Sequence, residues 1–264
     1  MRRAILIFFA VPIIVFTIGI TALWSQQNRF VYQAPDHSSV SMKEGWELEK
    51  IPQSQSDELL SAYYRRAQPG MPTVVFFHGS AGSYQTTVWS TQDYADKGWG
   101  ILMPEYPGYG GNPGAPSETS FKDAAVSAMA WIKNQGVDED DLVVIGNSIG
   151  SGPAITAAKQ GAGGLVVISG LTSLKDVVKA KLPYAPTYLL RDRYENARDI
   201  QGIALPVLIV HGEDDEIIPF SQGRQLASIS GGELLTIPDG DHAVAYRGET
   251  QMGIIQWVND RVRR

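Results

Sequence analysis

Three residue types in this sequence could together carry out acyl transfer: a serine, a histidine and an acidic residue. Ser148 is the centre of a Gly-Asn-Ser-Ile-Gly pattern that begins at Gly146, ends at Gly150 and directly follows the apolar run 142–145. This spacing is typical of a sharp strand-to-helix turn, in which a residue larger than glycine would collide with the neighbouring backbone. Such a turn exposes the serine and directs the first N–H groups of the next helix towards it. Ser148 is therefore a candidate nucleophile.

A serine nucleophile needs a base, and the chain has four histidines. His37 lies in a polar stretch near the N-terminus. His78 and His211 each follow an apolar run and precede a glycine, where a histidine usually orders a loop through hydrogen bonds. His242 follows the last predicted strand, in a loop rich in Gly and Asp from which its imidazole could reach Ser148. His242 is therefore the candidate general base.

A third group must orient the imidazole and stabilise its cation. The loop after the preceding strand offers four carboxylates: Glu213, Asp214, Asp215 and Glu216. The local pattern leaves the choice among them open, and it lacks the alternating oxygen ligands of a calcium loop. Asp239 and Asp241 are weaker candidates, because an acid one or three residues from His242 has little room to face its ring.

Alternating strand and helix patterns must position these residues. Six apolar runs predict strands at 73–77, 100–104, 142–145, 165–169, 206–210 and 233–237. Helical patterns cover 117–134 and 251–264, and mixed patterns at 46–51 and 59–66 indicate antiparallel strands near an edge. The sequence therefore predicts an α/β fold, with a mostly parallel sheet and helices on both faces. The longer connection at about 171–205 predicts a small lid segment.

The first residues predict a membrane anchor. From Ala4 to Trp24 there is no charged residue, and this stretch is long enough for a helix to cross a hydrocarbon core of about 30 Å. Arg2 and Arg3 on its first flank predict a cytoplasmic N-terminus and an extracytoplasmic domain, which would be periplasmic in a bacterium. A cleaved signal peptide is an alternative, although the run is long for one; a buried helix of the domain would show a polar face. We therefore divide the chain into an anchor (1–25), a juxtamembrane linker (26–39) and one domain (40–264).

Composition excludes several other functions. The net charge of −6, without a clustered basic face, argues against binding to nucleic acid. The absence of cysteine excludes disulfides and thiolate metal sites. Residues 106–114 contain Gly-x-Gly without the dinucleotide-binding context, and no phosphate-binding Gly-Lys-Ser/Thr motif occurs. We expect neither a cofactor nor a metal.

Taken together, the motifs resemble those of the α/β-hydrolase-fold serine hydrolases over nearly the whole chain. The stretch from His211 to Pro219 resembles the acid-bearing motif of that family, and the resemblance implies that Asp215 is the orienting acid. The stretch that begins at His78 resembles the oxyanion-hole loop. This implies that the backbone N–H groups of Ser80 and Ile149 are the donors to the oxyanion.

Residues 106–110 and 116–118 are similar to a narrower branch, the single-anchor hydrolases that include lysophospholipase-like and protein-depalmitoylase-like enzymes. That resemblance implies a membrane-anchored enzyme whose substrate is an acyl ester or thioester, for example a lysophospholipid. A serine aminopeptidase is an alternative, since such peptidases share the fold and the triad. A binding protein that has kept the fold without catalysis is a second alternative.

Overall fold

The computed structural model describes residues 15, 18–19, 21, 24–35 and 44–262. The predicted anchor, from Ala4 to Trp24, falls largely outside these residues and stays a prediction. In the ranges that are described, we find no helix with the length and apolar character needed to span a bilayer.

A single mixed sheet forms the centre of the described structure. Its eight strands are β1 (Glu47–Pro52), β2 (Leu59–Arg65), β3 (Thr73–Phe77), β4 (Gly100–Pro104), β5 (Leu142–Asn147), β6 (Gly164–Ile168), β7 (Val207–Gly212) and β8 (Glu233–Ile237). They lie in the order β1-β2-β4-β3-β5-β6-β7-β8. The β1–β2 and β2–β4 pairs are antiparallel and the remaining pairs are parallel. The predicted, mostly parallel sheet with antiparallel strands at one side is confirmed.

Helices cover both faces of the sheet. They are α1 (24–31), α2 (Tyr84–Thr87), α3 (Gln92–Asp96), α4 (Glu118–Asn134), α5 (Ser151–Ala158), α6 (Leu174–Lys181), α7 (Asn196–Asp199), α8 (Phe220–Ser230) and α9 (Gly248–Arg261). Two apolar cores result, one on each face. In β3, Phe77 belongs to the core under α4, α5 and α8, while Phe76 belongs to the core under α3 and α9. Because successive residues of a strand face opposite sides, a strand between two cores must be apolar throughout.

The helix predicted at 117–134 begins where the sequence indicates. Ser117 is the N-cap of α4: its side chain accepts a hydrogen bond from the backbone N–H of Ser120, whose side chain in turn accepts one from the N–H of Ser117. This reciprocal cap satisfies two donors that the first turn leaves unpaired. Phe121, Ala125 and Met129 of α4 then face the core. The closing helix α9 starts three residues before the predicted 251 and ends at Arg261.

Two connecting segments matter for the site. The region predicted as a lid, 171–205, contains α6, α7 and a short 3-10 turn at Thr187–Leu189. The segment predicted as a linker is described as far as residue 35. It is helical up to residue 31, and Tyr32 is only 5% exposed and belongs to the core under α4. We call residues 24–35 the N-terminal strap. It packs against the domain over the described part of the predicted linker.

Candidate active site

Ser148 lies on a tight turn between β5 and α5. Its φ is +56°, in the left-handed region that is unfavourable for a residue with a Cβ. The flanking glycines permit this turn. A Cβ on Gly146 would lie 2.5 Å from the Cβ of Ala154, and a Cβ on Gly150 would lie 2.3 Å from the carbonyl oxygen of Phe77. The turn therefore brings the start of α5 against the end of β3 at a distance that only glycine allows.

His242 joins Ser148 to Asp215. Its Nε2 is 3.0 Å from the Oγ of Ser148, and its Nδ1 is 2.8 Å from Oδ2 of Asp215. The three residues follow β5, β7 and β8, so they meet at the carboxyl edge of the parallel strands, where such sheets bind ligands. An ionised carboxylate can only accept, so Nδ1 carries the hydrogen and Nε2 is free to accept the proton of the serine hydroxyl. The three predicted residues thus form one hydrogen-bonded chain.

Asp215 is held as an anion by its neighbours. Burial raises the pKa of this carboxyl, but hydrogen bonds from His211 and His242, with the backbone N–H of Ile218, outweigh the burial and hold its pKa well below the usual range. Nε2 of His211 shares its hydrogen between two acceptors, the carbonyl oxygen of Ile218 at 2.9 Å and Oδ2 of Asp215 at 3.3 Å. A fixed negative charge beside His242 favours the cationic imidazolium that proton transfer from a serine would create.

The structure distinguishes among the acidic candidates. Of the four carboxylates at 213–216, all of which are described, Asp215 alone is buried and contacts His242. Asp239 and Asp241 are exposed, and Asp241 accepts a hydrogen bond from the backbone N–H of Ala243. The nearby acids therefore lie at the rim of the site, while Asp215 faces the imidazole.

The loop after β3 lies against the serine. A Cβ on Gly79 would lie 3.3 Å from the Cβ of Ser148, which is a tight contact. Ser80 and Ile149, whose backbone N–H groups the sequence predicts as oxyanion donors, line the same cavity as Ser148 and His242. Their role as donors stays a prediction.

A buried hydrogen-bonded pair of side chains supports this loop, and sequence analysis did not identify it. Nε2 of His78 is 2.7 Å from Oε1 of Glu105, and both side chains are fully buried. Nδ1 of His78 is 2.8 Å from the carbonyl oxygen of Gly79, which can only accept, so this nitrogen carries a hydrogen. The second oxygen of Glu105 accepts from the backbone N–H of Tyr84. The pair therefore ties both ends of the loop 79–84 to the end of β4. The only signal in the sequence was an acid directly after a buried strand.

The site opens into a cavity of about 950 Å³. One side of this cavity is apolar and is formed by the N-terminal strap and by α6, with Phe30 and Val31 from the strap and Val177 and Val178 from α6. Acidic side chains from the loops that hold Asp215 and His242 also line this cavity. The contribution of the strap was missed by sequence analysis. Within the described residues, no group of three or more His, Cys, Asp or Glu side chains could hold a metal ion.

Comparisons with known proteins agree with this architecture. The family described as alpha/beta hydrolase fold matches residues 72–166. An uncharacterized protein of Mycobacterium tuberculosis is 31% identical over 219 residues, which cover 79% of this chain and 77% of that protein. The chain therefore belongs to the α/β-hydrolase-fold family.

Two further similarities are more distant. The lysophosphatidylserine lipase ABHD12 of Danio rerio is 25% identical over 191 residues, which cover 64% of this chain and 50% of that lipase. The Pyrococcus furiosus esterase Pf2001 superposes with a TM-score of 0.70 and 15% identity, over 87% of this chain and 99% of that one. At this identity the esterase shows the fold alone. The narrower resemblance to single-anchor hydrolases stays a prediction.

Proposed function

We propose that the protein is a serine hydrolase that cleaves carboxylic esters or thioesters of acyl lipids. The observation that carries this proposal is the continuous hydrogen-bonded chain from Asp215 through His242 to the Oγ of Ser148. The serine at the end of this series of hydrogen bonds has a left-handed backbone conformation and lines a cavity with an apolar side. A histidine within hydrogen-bond distance of both a serine and a fixed carboxylate is the arrangement that activates a serine for attack on a carbonyl.

The geometry supports a two-step reaction. His242 Nε2 accepts the proton of Ser148 as its Oγ attacks the acyl carbonyl, and Asp215 stabilises the imidazolium. We propose that the N–H groups of Ser80 and Ile149 stabilise the oxyanion. His242 then donates its proton to the leaving alcohol or thiol, which departs and leaves the acyl group on Ser148. Water, deprotonated by the same imidazole, attacks this acyl-enzyme and releases the free acid.

The cavity and the predicted anchor favour an acyl lipid as substrate. Side chains of the strap and of α6 offer an acyl chain an apolar surface beside Ser148. We propose that Ala4 to Trp24 places the domain on the extracytoplasmic surface of a membrane, where acyl lipids are concentrated. The similarity to a lysophosphatidylserine lipase makes lysophospholipids the first compounds to test.

Labelling with a fluorophosphonate probe tests the proposal directly. We expect the wild-type chain to be labelled at Ser148, and Ser148→Ala to lose both labelling and about 10⁶-fold in kcat on a lysophospholipid. Ser228→Ala is the matched control, because Ser228 is an exposed serine on α8 and should change neither property. Thermal unfolding should show that Ser148→Ala remains folded.

The same assay separates the alternatives. A folded wild-type chain that is not labelled would contradict the proposal and favour a non-catalytic binding protein. A labelled chain that cleaves amino-terminal peptide anilides faster than acyl esters would favour the peptidase. Faster turnover of acyl esters is the result that we expect.

A further inference from the structure

The N-terminal strap is fixed to the lid. The side-chain amide of Gln27 donates to the carbonyl oxygen of Leu189 and accepts from the backbone N–H of Arg191, each at 3.0 Å. The guanidinium of Arg191 also lies 3.7 Å from the centre of the Trp24 ring, a cation–π contact. Because the Gln27 amide both donates to and accepts from the same segment of the lid, it fixes the orientation of the strap on that segment as well as the distance between them. The strap and the lid therefore hold one another in place.

The end of the strap is fixed more deeply. The hydroxyl of Tyr32 donates to Oδ2 of Asp192 at 2.8 Å, so the hydroxyl of Tyr194, at 3.0 Å, must donate to Tyr32. Burial raises the pKa of both tyrosines, which keeps both hydroxyls protonated. One residue further on, the backbone N–H of Gln33 donates to the carbonyl oxygen of Ser80. The strap thus contacts the lid, the core and the loop that carries the predicted oxyanion donor.

Phe30 differs from the residues around it. Its side chain is 68% exposed, although it lies two residues before the buried Tyr32. It borders the same cavity as Ser148, together with Val31 of the strap and Leu174, Val177 and Val178 of α6. At the border of this cavity, the exposed ring offers apolar surface that a ligand can remove from water. Because Ser148 lines the same cavity, the ligand that fits this surface is an apolar group attached to the carbonyl that Ser148 would attack.

We propose that the N-terminal strap is one wall of the acyl-binding groove and that Phe30 is a specificity-determining residue, which contacts the distal methylenes of a long acyl chain. This inference rests on the proposed function. In this proposal, the part of the groove that is farther from Ser148 is formed by residues that precede the first strand of the domain. The near part, beside Ser148, is lined by Ile149 and by the loop after β3.

The proposal predicts a dependence on chain length. Removing one methylene from water is worth about a factor of four in binding. A short acyl group would end near Ser148 and would not reach the strap, whereas a long one would lie against the ring of Phe30. Loss of the ring should therefore weaken transition-state binding for long chains only.

The test compares p-nitrophenyl dodecanoate with p-nitrophenyl butanoate, using the full-length chain in detergent and active-site titration with a fluorophosphonate. Phe30→Ala should lower kcat/KM for the dodecanoate about fifteenfold, which corresponds to two lost methylene contacts, and leave the butanoate within twofold. Phe30→Leu keeps an apolar side chain and should recover most of the dodecanoate rate. Leu48→Ala is the matched control, because Leu48 is an exposed apolar residue on β1, 47% exposed and absent from the cavity lining.

Equal changes in both esters, or no change in either, would overturn the role of Phe30 while the titrated serine still showed an active enzyme. A different result would show that the proposed function is wrong. In that case the wild-type chain itself would neither be labelled nor hydrolyse either ester, and the inference would be overturned with it.

Discussion

At the scale of single residues, the site combines a strained serine with a fixed anion. The left-handed conformation costs a residue such as Ser148 about 1 kcal/mol, and the surrounding turn must offset that cost. Asp215 requires no comparable strain. Its Oδ1 accepts the backbone N–H groups of Ile217 and Ile218, at 2.9 and 2.8 Å, which leaves Oδ2 to the two histidines. The orientation of His242 thus depends on a carboxylate whose own rotation is blocked.

The lowered pKa of Asp215 predicts a pH-dependent contribution to stability. Because its folded pKa is depressed, the carboxylate stabilises the native state above the ordinary pKa of aspartate, about 4, and this contribution is lost as the pH falls towards the folded value. We therefore expect Asp215→Asn to lower the free energy of unfolding in urea at neutral pH, and the difference from wild type to shrink at about pH 3.

Asp57→Asn is the control for this measurement, because Asp57 is an exposed carboxylate in the turn before β2. It should show little difference from wild type at either pH. If the wild type and Asp215→Asn differed equally at neutral and acidic pH, the carboxylate would not be the source of the stabilisation.

Most residues of this site could be predicted from the sequence, because side chains suited to catalysis occur directly after segments that the sequence identifies as strands. Ser148, Asp215 and His242 each follow a recognisable strand, and parallel strands end at a common edge. Glu105 also follows a strand, but its partner His78 is 27 positions away and its role depends on complete burial. No local pattern predicts that a carboxylate at a strand end will pair with an imidazole under a neighbouring loop.

At the scale of elements, the turn that carries Ser148 depends on the close approach of α5 to β3. The clash at Gly150 would be with the backbone carbonyls of Phe77 and His78, which no side-chain rotation relieves. We expect Gly150→Ala to lower the free energy of unfolding by about 3 kcal/mol and to reduce labelling of Ser148 severely. Chemical denaturation together with probe labelling would measure both effects.

Gly248→Ala is the matched control for this substitution. Gly248 is also a glycine at a helix start, but a Cβ there would meet its nearest neighbour, a carboxylate oxygen of Asp93, at an ordinary 3.7 Å. This variant should match wild type in stability and labelling. Normal stability and labelling of Gly150→Ala would show that the turn between β5 and α5 can shift away from β3.

The sequence pattern indicates the strands but not the contacts of the strap, and the difference has a physical reason. A strand buried on both faces must be apolar at every position, so the periodicity reveals it, as in β3 and β4. The strap is held by hydrogen bonds from Gln27 and Tyr32 to residues about 160 positions later in the chain. Such contacts leave no trace in the local pattern, and a short polar stretch after an apolar run therefore indicated a linker.

At the scale of the whole molecule, we propose that residues 4–24 hold the protein in a membrane. Thirteen Leu, Ile, Val and Phe residues there contribute about −4 to −8 kcal/mol to insertion. After alkaline extraction, the full chain should remain in the membrane pellet, while a chain that begins at Trp24 should move to the supernatant. Recovery of the full chain in the supernatant would contradict the proposed anchor.

The helical strap would also limit how far the catalytic groove stands above such a membrane. From Trp24 to Phe30 the described backbone is helical, so Phe30 lies no more than about 9 Å above Trp24. With Trp24 at the lipid headgroups, this distance is less than the hydrocarbon half-thickness of about 15 Å. A lipid could then present its ester to Ser148 while the end of its tail stayed in the leaflet. Hydrolysis would then require the lipid to leave the membrane only in part, without passing completely through water.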